Sequence, residues 1–305
     1  MLLLQQMIAL FIFMMIGYGV RKKNIIDDAG AKSISWLIVN VANPALILSG
    51  SALSDQTLSL QDFGYTLFVA SVLFFGLIIL SFPLTALMHV PASQKGIYKM
   101  MTAFSNIGFM GFPLIRAMYG NDALIYASLF IIPFNILIYT YGILTLDSAA
   151  NGHHLHLKQA LNPGTIACAL SVVIAILQPT LPDFLTTVIE DLSDLTASLS
   201  MMVIGMSLAT IALTELFVER KLWIFSLIKL IPLPMLVLWI TKLFIQDNVL
   251  LGICFVMLCA PAASMIPMLA QQYDSDYKLA SKGVALSTLL SVVTMPLVST
   301  LMGIS

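Results

Sequence analysis

Long apolar runs separated by short polar stretches divide the chain from end to end. A helix that crosses hydrocarbon needs roughly 20 apolar residues. By that measure ten spans are predicted, at about 2–20, 31–51, 63–88, 98–119, 122–146, 161–178, 187–213, 222–244, 248–271 and 280–302. The seventh has the least distinct start, because Glu190, Asp191 and Asp194 fall in its first turns. Spans four and nine do not read as plain lipid-facing helices. Span four carries Asn106, Gly108, Gly111 and Pro113 close together, and span nine carries Pro261, Ser264 and Pro267. Proline cannot donate an i→i−4 hydrogen bond and clashes with the preceding turn. Both spans are therefore predicted to be broken. Pro113 and Pro267 are each expected to open a second half-helix at its first position, where a missing N–H costs little. Unpaired backbone inside a membrane is tolerated only where protein buries it or a cavity receives it, so each break marks a candidate site.

The two breaks also look related. Pro113 is followed by Tyr119 and Asp122, and Pro267 by Tyr273 and Asp276, at the same offsets. Ala-Ser follows in both, at 127–128 and 280–281. The polar loop Leu146–Gln159, with His153, His154 and His156, separates two groups of five spans. It reads as a solvated connector. Five is odd, so the second group enters from the opposite side, an inverted-repeat architecture frequent in secondary transporters. The expected fold class is an all-α polytopic membrane protein of ten transmembrane helices in two inverted five-helix repeats, with broken crossover helices four and nine. It forms one domain over 1–305: repeat one about 1–146, a central cytoplasmic loop about 147–160, and repeat two about 161–305.

Composition agrees. Of 305 residues, 59% are apolar and 10% charged, with a mean hydropathy of +0.98, against about 25% charged in ordinary globular domains. A net charge of −1 points to no nucleic-acid partner. Lys/Arg placement sets orientation. With the N-terminus outside, Arg21, Lys22, Lys23, Lys32, Lys95, Lys99, Lys158, Arg220, Lys221, Lys278 and Lys282 fall on the cytoplasmic side, eleven of fourteen. Both termini are thus expected outside a cell membrane. Met1-Leu-Leu-Leu-Gln-Gln lacks the features of a cleaved signal peptide, so the first helix is expected to be retained. Cys168, Cys254 and Cys259 have no metal-ligand spacing and read as small core residues. No metal and no cofactor are expected.

Helix N-termini carry about half a positive charge and form ready anion sites. Two of them meeting at midplane would hold an anion, with Asn106 and Ser264 adding side-chain bonds. Asn43 with Pro44 in span two, near Asn40, and Asn135 with Tyr139 in span five are further candidate contacts. Arg116 could bind a carboxylate or snorkel outward. Lys229 and Lys242 read as snorkelling or paired residues. Ser287, Thr288, Ser291 and Thr294 in span ten read as back-bonding to their own helix. No Asp or Glu lies at the centre of a span, so proton or sodium coupling through a carboxylate is not indicated. No Walker-type G-x-x-x-x-G-K-[ST] is present, nor any H-E-x-x-H, G-x-S-x-G or acid–base pair at catalytic spacing, so neither ATP-driven transport nor an enzyme is expected.

Asn106-x-Gly-x-x-Gly-x-Pro-Leu114 resembles the crossover segment of the auxin efflux carrier family, which includes bacterial malate and malonate permeases and plant PIN-type carriers. Pro261-Ala-Ala-Ser-Met-Ile-Pro267, together with Ala270, Tyr273 and Leu286-Ser-Thr-Leu-Leu-Ser-Val-Val-Thr-Met-Pro296-Leu, is similar to that family's last two helices. The resemblance implies helices four and nine crossing at a site for organic anions. It also implies a scaffold of spans one, two, six and seven beside a moving part, with polar contacts from Asn106, Asn135 and Tyr139. Span seven departs from it, with Ser200-Met201 before Gly205-Met-Ser-Leu208 where relatives often carry Pro-Leu. The expected function is a secondary carrier for a small carboxylate, working by alternating access in the lipid bilayer, as a possible homodimer. Two alternatives stand beside it: a sodium-coupled symporter of the bile-acid-carrier type, and a membrane sensor that binds a ligand without moving it.

Overall fold

The computed structural model describes residues 2–53, 59–146, 162–211, 219–273 and 275–304. The histidines of the central loop lie outside them. The described residues are helical, with one isolated backbone bridge and no strand.

Helices begin where the sequence supplies a side-chain cap. Asp27 accepts from the Gly30 N–H at the start of α2 (Asp28–Leu37). Ser59 opens α4 (Leu60–Leu87), Asn162 opens α10 (Pro163–Leu177), and Asp247 opens α14 (Asn248–Cys259). Each satisfies one of the donors that a helix start leaves unpaired. Asp276 does the same for α16 (Tyr277–Met302). The repeated Tyr and Asp fall at matching junctions. Tyr119 ends α6 (Phe112–Tyr119) and Asp122 begins α7 (Asp122–Leu129). Tyr273 caps the end of α15 (Met265–Gln272), just before Asp276.

Among the described residues, seven helical stretches are long and apolar enough to cross a membrane: Leu4–Lys22, Asp28–Ala52, Leu60–Leu87, Asp122–Leu146, Asp183–Ala209, Arg220–Phe244 and Tyr277–Met302. Three shorter apolar helices accompany them, Ile107–Tyr119, Pro163–Leu177 and Asn248–Cys259. The seventh predicted span is displaced: its helix, α11, runs Asp183–Ala209 and carries the acidic residues in its opening turns. Span eight is two helices, α12 (Arg220–Leu230) and α13 (Pro232–Phe244), hinged at Ile231 because Pro232 cannot continue the ladder. In span two, α2 passes through a π-helical turn at Ile38–Ala42 into α3 (Asn43–Ala52). The Asn43 N–H reaches the Ile38 carbonyl, and Pro44 follows without a donor. Asn43-Pro44 therefore widens this helix without breaking it. Span five runs from α7 into α8 (Ile131–Leu137), then a π-helical turn and α9 (Ile143–Leu146).

The surface is apolar: Phe68, Ile79, Leu243, Phe244 and Val293 stand exposed. Small polar side chains are buried instead, Ser49, Ser171, Ser200, Ser287 and Thr288 among them. That inversion suits a hydrocarbon solvent, where small polar residues join helices. α1 (Leu2–Lys22) packs along α11, and α3 packs on α10 and α11. Backbone meets backbone at the α1–α11 contact. A Cβ added at Gly205 would lie 1.8 Å from the Met14 carbonyl oxygen, and one at Gly17 would lie 2.0 Å from that of Met202. Around the first break, Phe104 packs edge-on against Phe134, with Phe74 beside both.

Candidate functional site: the crossing of two broken helices

The first break follows α5 (Lys95–Ala103), and the second follows α14. Each frees backbone groups that hydrocarbon cannot satisfy, and the two breaks satisfy one another. The Asn106 N–H donates to the Pro261 carbonyl at 2.8 Å, and the Ala263 N–H to the Phe104 carbonyl at 3.0 Å. These bonds make Ser105 and Ala262 an antiparallel bridge. Ser287 of α16 closes the arrangement by accepting from the Ala262 N–H at 3.2 Å, while back-bonding to the Val284 carbonyl. The back-bonding expected of the span-ten stripe is present at Ser287, Thr288 and Ser291 but not at Thr294, whose Oγ1 is buried without a partner among the described residues. Its contact with the crossing has no local sequence signal.

Neither proline opens its half-helix, contrary to the expected N1 position. Asn106 is the N-cap of a π-helical turn, Ile107–Gly111, that leads into α6, and its Oδ1 accepts from the Phe109 N–H at 3.3 Å. Pro113 therefore lies a turn inside, and Pro267 is the third residue of α15. Pro267 lies within the first turn, where a missing donor does little harm; Pro113 lies beyond it. Pro113 has no N–H to give the Phe109 carbonyl four residues back. The Ser200 hydroxyl of α11 lies 2.8 Å from it and shares its one hydrogen between this acceptor and the Thr196 carbonyl of its own helix, at 2.5 Å. The residue that departs from the family pattern thus supports the break.

Asn106 is buried, and its Nδ2 has no hydrogen-bond partner among the described residues. The Asn43 amide lies against Gly108, where an added Cβ would be 2.7 Å from Asn43 Nδ2. Asn43 Oδ1 is likewise buried without a partner. Orphaned buried polar atoms cost about 1–3 kcal/mol each; Tyr119 Oη, Thr196 Oγ1 and Ser226 Oγ are buried without a partner among the described residues as well. Gly111 is not required for space, since its added Cβ would make only ordinary contacts; its N–H returns to the Asn106 carbonyl. Pro261 is buried at the crossing, and Ser264 and Pro267 are half-buried at the start of α15.

The other candidates lie differently. Pro113 and Arg116 line a cavity of about 170 Å³ together with Gln6, Leu46 and Asp194. Arg116 donates to Asn121 Oδ1, to Ser193 Oγ and to Asp194 Oδ1, the last at 2.6 Å. Asn135 is buried and donates to Thr165 Oγ1 at the start of α10, at 2.6 Å. Tyr139 is half-buried in the π-helical turn Ile138–Gly142, which breaks the simple i, i+4 alignment with Asn135. Pro44 is half-buried at the start of α3. Asn40 bonds back to the Trp36 carbonyl. Lys242 donates to the Met302 carbonyl near the end of α16.

Lys229 does not snorkel. It is 1% exposed, and its Nζ donates to Ser105 Oγ and to the Ala260 carbonyl, both at 3.1 Å. Its apolar neighbours in sequence gave no hint of this. The one available signal was its position near the middle of span eight.

Comparison with known proteins places the chain in a family. A family model described as membrane transport protein matches residues 2–299. A protein of Methanothermobacter thermautotrophicus, named an uncharacterized transporter, is 21% identical over 303 residues, covering 96% of each chain. A second uncharacterized transporter, from Methanocaldococcus jannaschii, is 26% identical over 302 residues, covering 94% of each. The chain is a multi-pass membrane protein and belongs to the membrane transport protein family, the family of the auxin efflux carriers.

Proposed function

We infer that this transporter is a secondary carrier for small organic anions, working by alternating access. The observation that carries the reading is Asn106. Its amide N–H donors are buried at the crossing of the two broken helices and lack an acceptor. A carboxylate supplies the acceptor, and the nearby helix N-termini favour its negative charge. Asn43, Gly108, Pro261 and Ser264 shape the receiving space. The seven long helices and three short ones make ten spans in two inverted repeats, with both termini outside the cell membrane. The scaffold consists of α1, α2–α3, α10 and α11. The bundle holding the crossed helices moves past it, exposing the anion to each side in turn.

The test is uptake by proteoliposomes under an imposed potential at fixed pH, with malonate, malate, succinate and acetate as probes. Potential-driven, saturable uptake of one of them is expected, and Asn106→Ala is expected to weaken its affinity about tenfold, as the loss of one buried hydrogen bond to a charged group would. A requirement for Na⁺ would identify a sodium symporter. Ligand-induced stabilisation without flux would identify a sensor. No response to any carboxylate would refute the anion reading.

A further inference from the structure

Lys229 is the charged side chain that is buried among the described residues. Neither ion pair found there, Arg21–Asp28 or Arg116–Asp194, includes it. A buried charge is costly unless it is paired or well hydrogen-bonded, so an ammonium kept in this position needs a reason. Its two bonds go to both breaks at once. Ser105 belongs to the unwound segment after α5, and Ala260 is the C-cap of α14, where a helix end presents carbonyls and partial negative charge. Both acceptors are neutral. The bonds hold the ammonium in place without cancelling its charge, and Ser105 is the immediate neighbour of Asn106. Lys229 approaches from α12, two residues before the Ile231 hinge.

We propose that Lys229 is a built-in cation at the crossing of the broken helices: it clasps the two unwound segments together and supplies the fixed positive charge by which the adjacent site prefers dicarboxylates to monocarboxylates. This rests on the anion-carrier reading above. Lys229 acts as a positioning and selectivity residue, and Asn106 makes the direct contact. A resident ammonium also does what a bound metal cation would do there, so carboxylate binding requires no Na⁺.

The experiment compares malonate and acetate binding to wild-type protein, Lys229→Gln and Lys229→Arg in lipid nanodiscs, with thermal melting and size-exclusion as checks of folding. In Lys229→Gln, malonate affinity is expected to fall at least about tenfold and acetate affinity distinctly less, since a Coulombic loss scales with ligand charge. Lys229→Arg keeps the charge and is expected to keep the malonate-to-acetate ratio. A purely structural lysine would lower the melting temperature and leave that ratio unchanged, and an unchanged ratio in Lys229→Gln overturns the proposal. Should that variant fail to fold, Lys229→Met retains the side-chain volume and is read in the same way. Wild-type protein supplies an independent measurement: with Na⁺ replaced by choline, malonate affinity is expected to be unchanged, and a tenfold loss overturns the proposal. If wild type binds no carboxylate, the anion-carrier reading itself falls. If wild type binds and Lys229→Gln discriminates equally well, only the role of Lys229 falls.

Discussion

Pro113 and Ser200 show how one residue's deficit is met by another on a different helix. The proline leaves the Phe109 carbonyl without its helical donor, and the Ser200 hydroxyl, which also bonds back to the Thr196 carbonyl, reaches it. Ser200→Ala is expected to destabilise the protein by about 1–3 kcal/mol, the penalty for an unsatisfied buried acceptor. In a Pro113→Ala background the restored N–H serves Phe109, so the same serine change should be milder. A double-mutant cycle by thermal or denaturant unfolding measures that coupling, and strict additivity would separate the two residues. Asn106 was recognisable from sequence as a polar residue within a break. That its Oδ1 is used as a cap and its Nδ2 left over depends on the backbone path, which no local pattern shows.

At the scale of elements, the sequence marked where helices fail more accurately than where they resume. Proline and glycine announce a break, but the restart is set by Asn106 as an N-cap, several residues before Pro113. The π-helical turns at Ile38–Ala42 and Ile138–Gly142 had no periodicity to reveal them, because one extra residue in a mostly apolar helix scarcely alters the pattern. Helix-to-helix distance depends on single glycines. Gly205→Ala places a methyl group inside contact distance of the α1 backbone and is expected to cost about 1–3 kcal/mol or more through forced separation. Gly76→Ala meets nothing within 4 Å and is expected to be neutral or slightly stabilising, as alanine is the better helix former. Melting temperatures of the two variants in one detergent decide it. Equal shifts would mean that the α1–α11 contact carries no special constraint.

For the whole molecule, alternating access divides contacts into those that persist and those that break. The α1–α11 contact lies within the proposed scaffold. The Arg116–Asp194 pair joins α6 to α11 across its border. Asp194 is 62% exposed, so the pair adds little to stability. Its position still makes it a useful probe. Cysteines at 116 and 194 joined by a short bifunctional thiol reagent should abolish flux in proteoliposomes, with flux restored when a cleavable linker is cut. Undiminished flux in the linked protein would exclude relative motion of α6 and α11.

The sequence by itself determined that the chain lives in a membrane, which segments are apolar enough to cross it, and that two of them are interrupted by residues a lipid-facing helix would not carry. These properties follow from composition and local backbone chemistry, and they act within a few turns of helix. The tertiary structure decided that the interruptions meet. It paired Asn106 with Pro261 and Ala263 with Phe104, and it brought Ser200, Ser287 and Lys229 from three other helices to groups left open there. In a medium that offers no water to unpaired backbone, each break needs partners from elsewhere in the chain. Which residues those are depends on how the helices pack, and that arrangement cannot be read from any one segment alone.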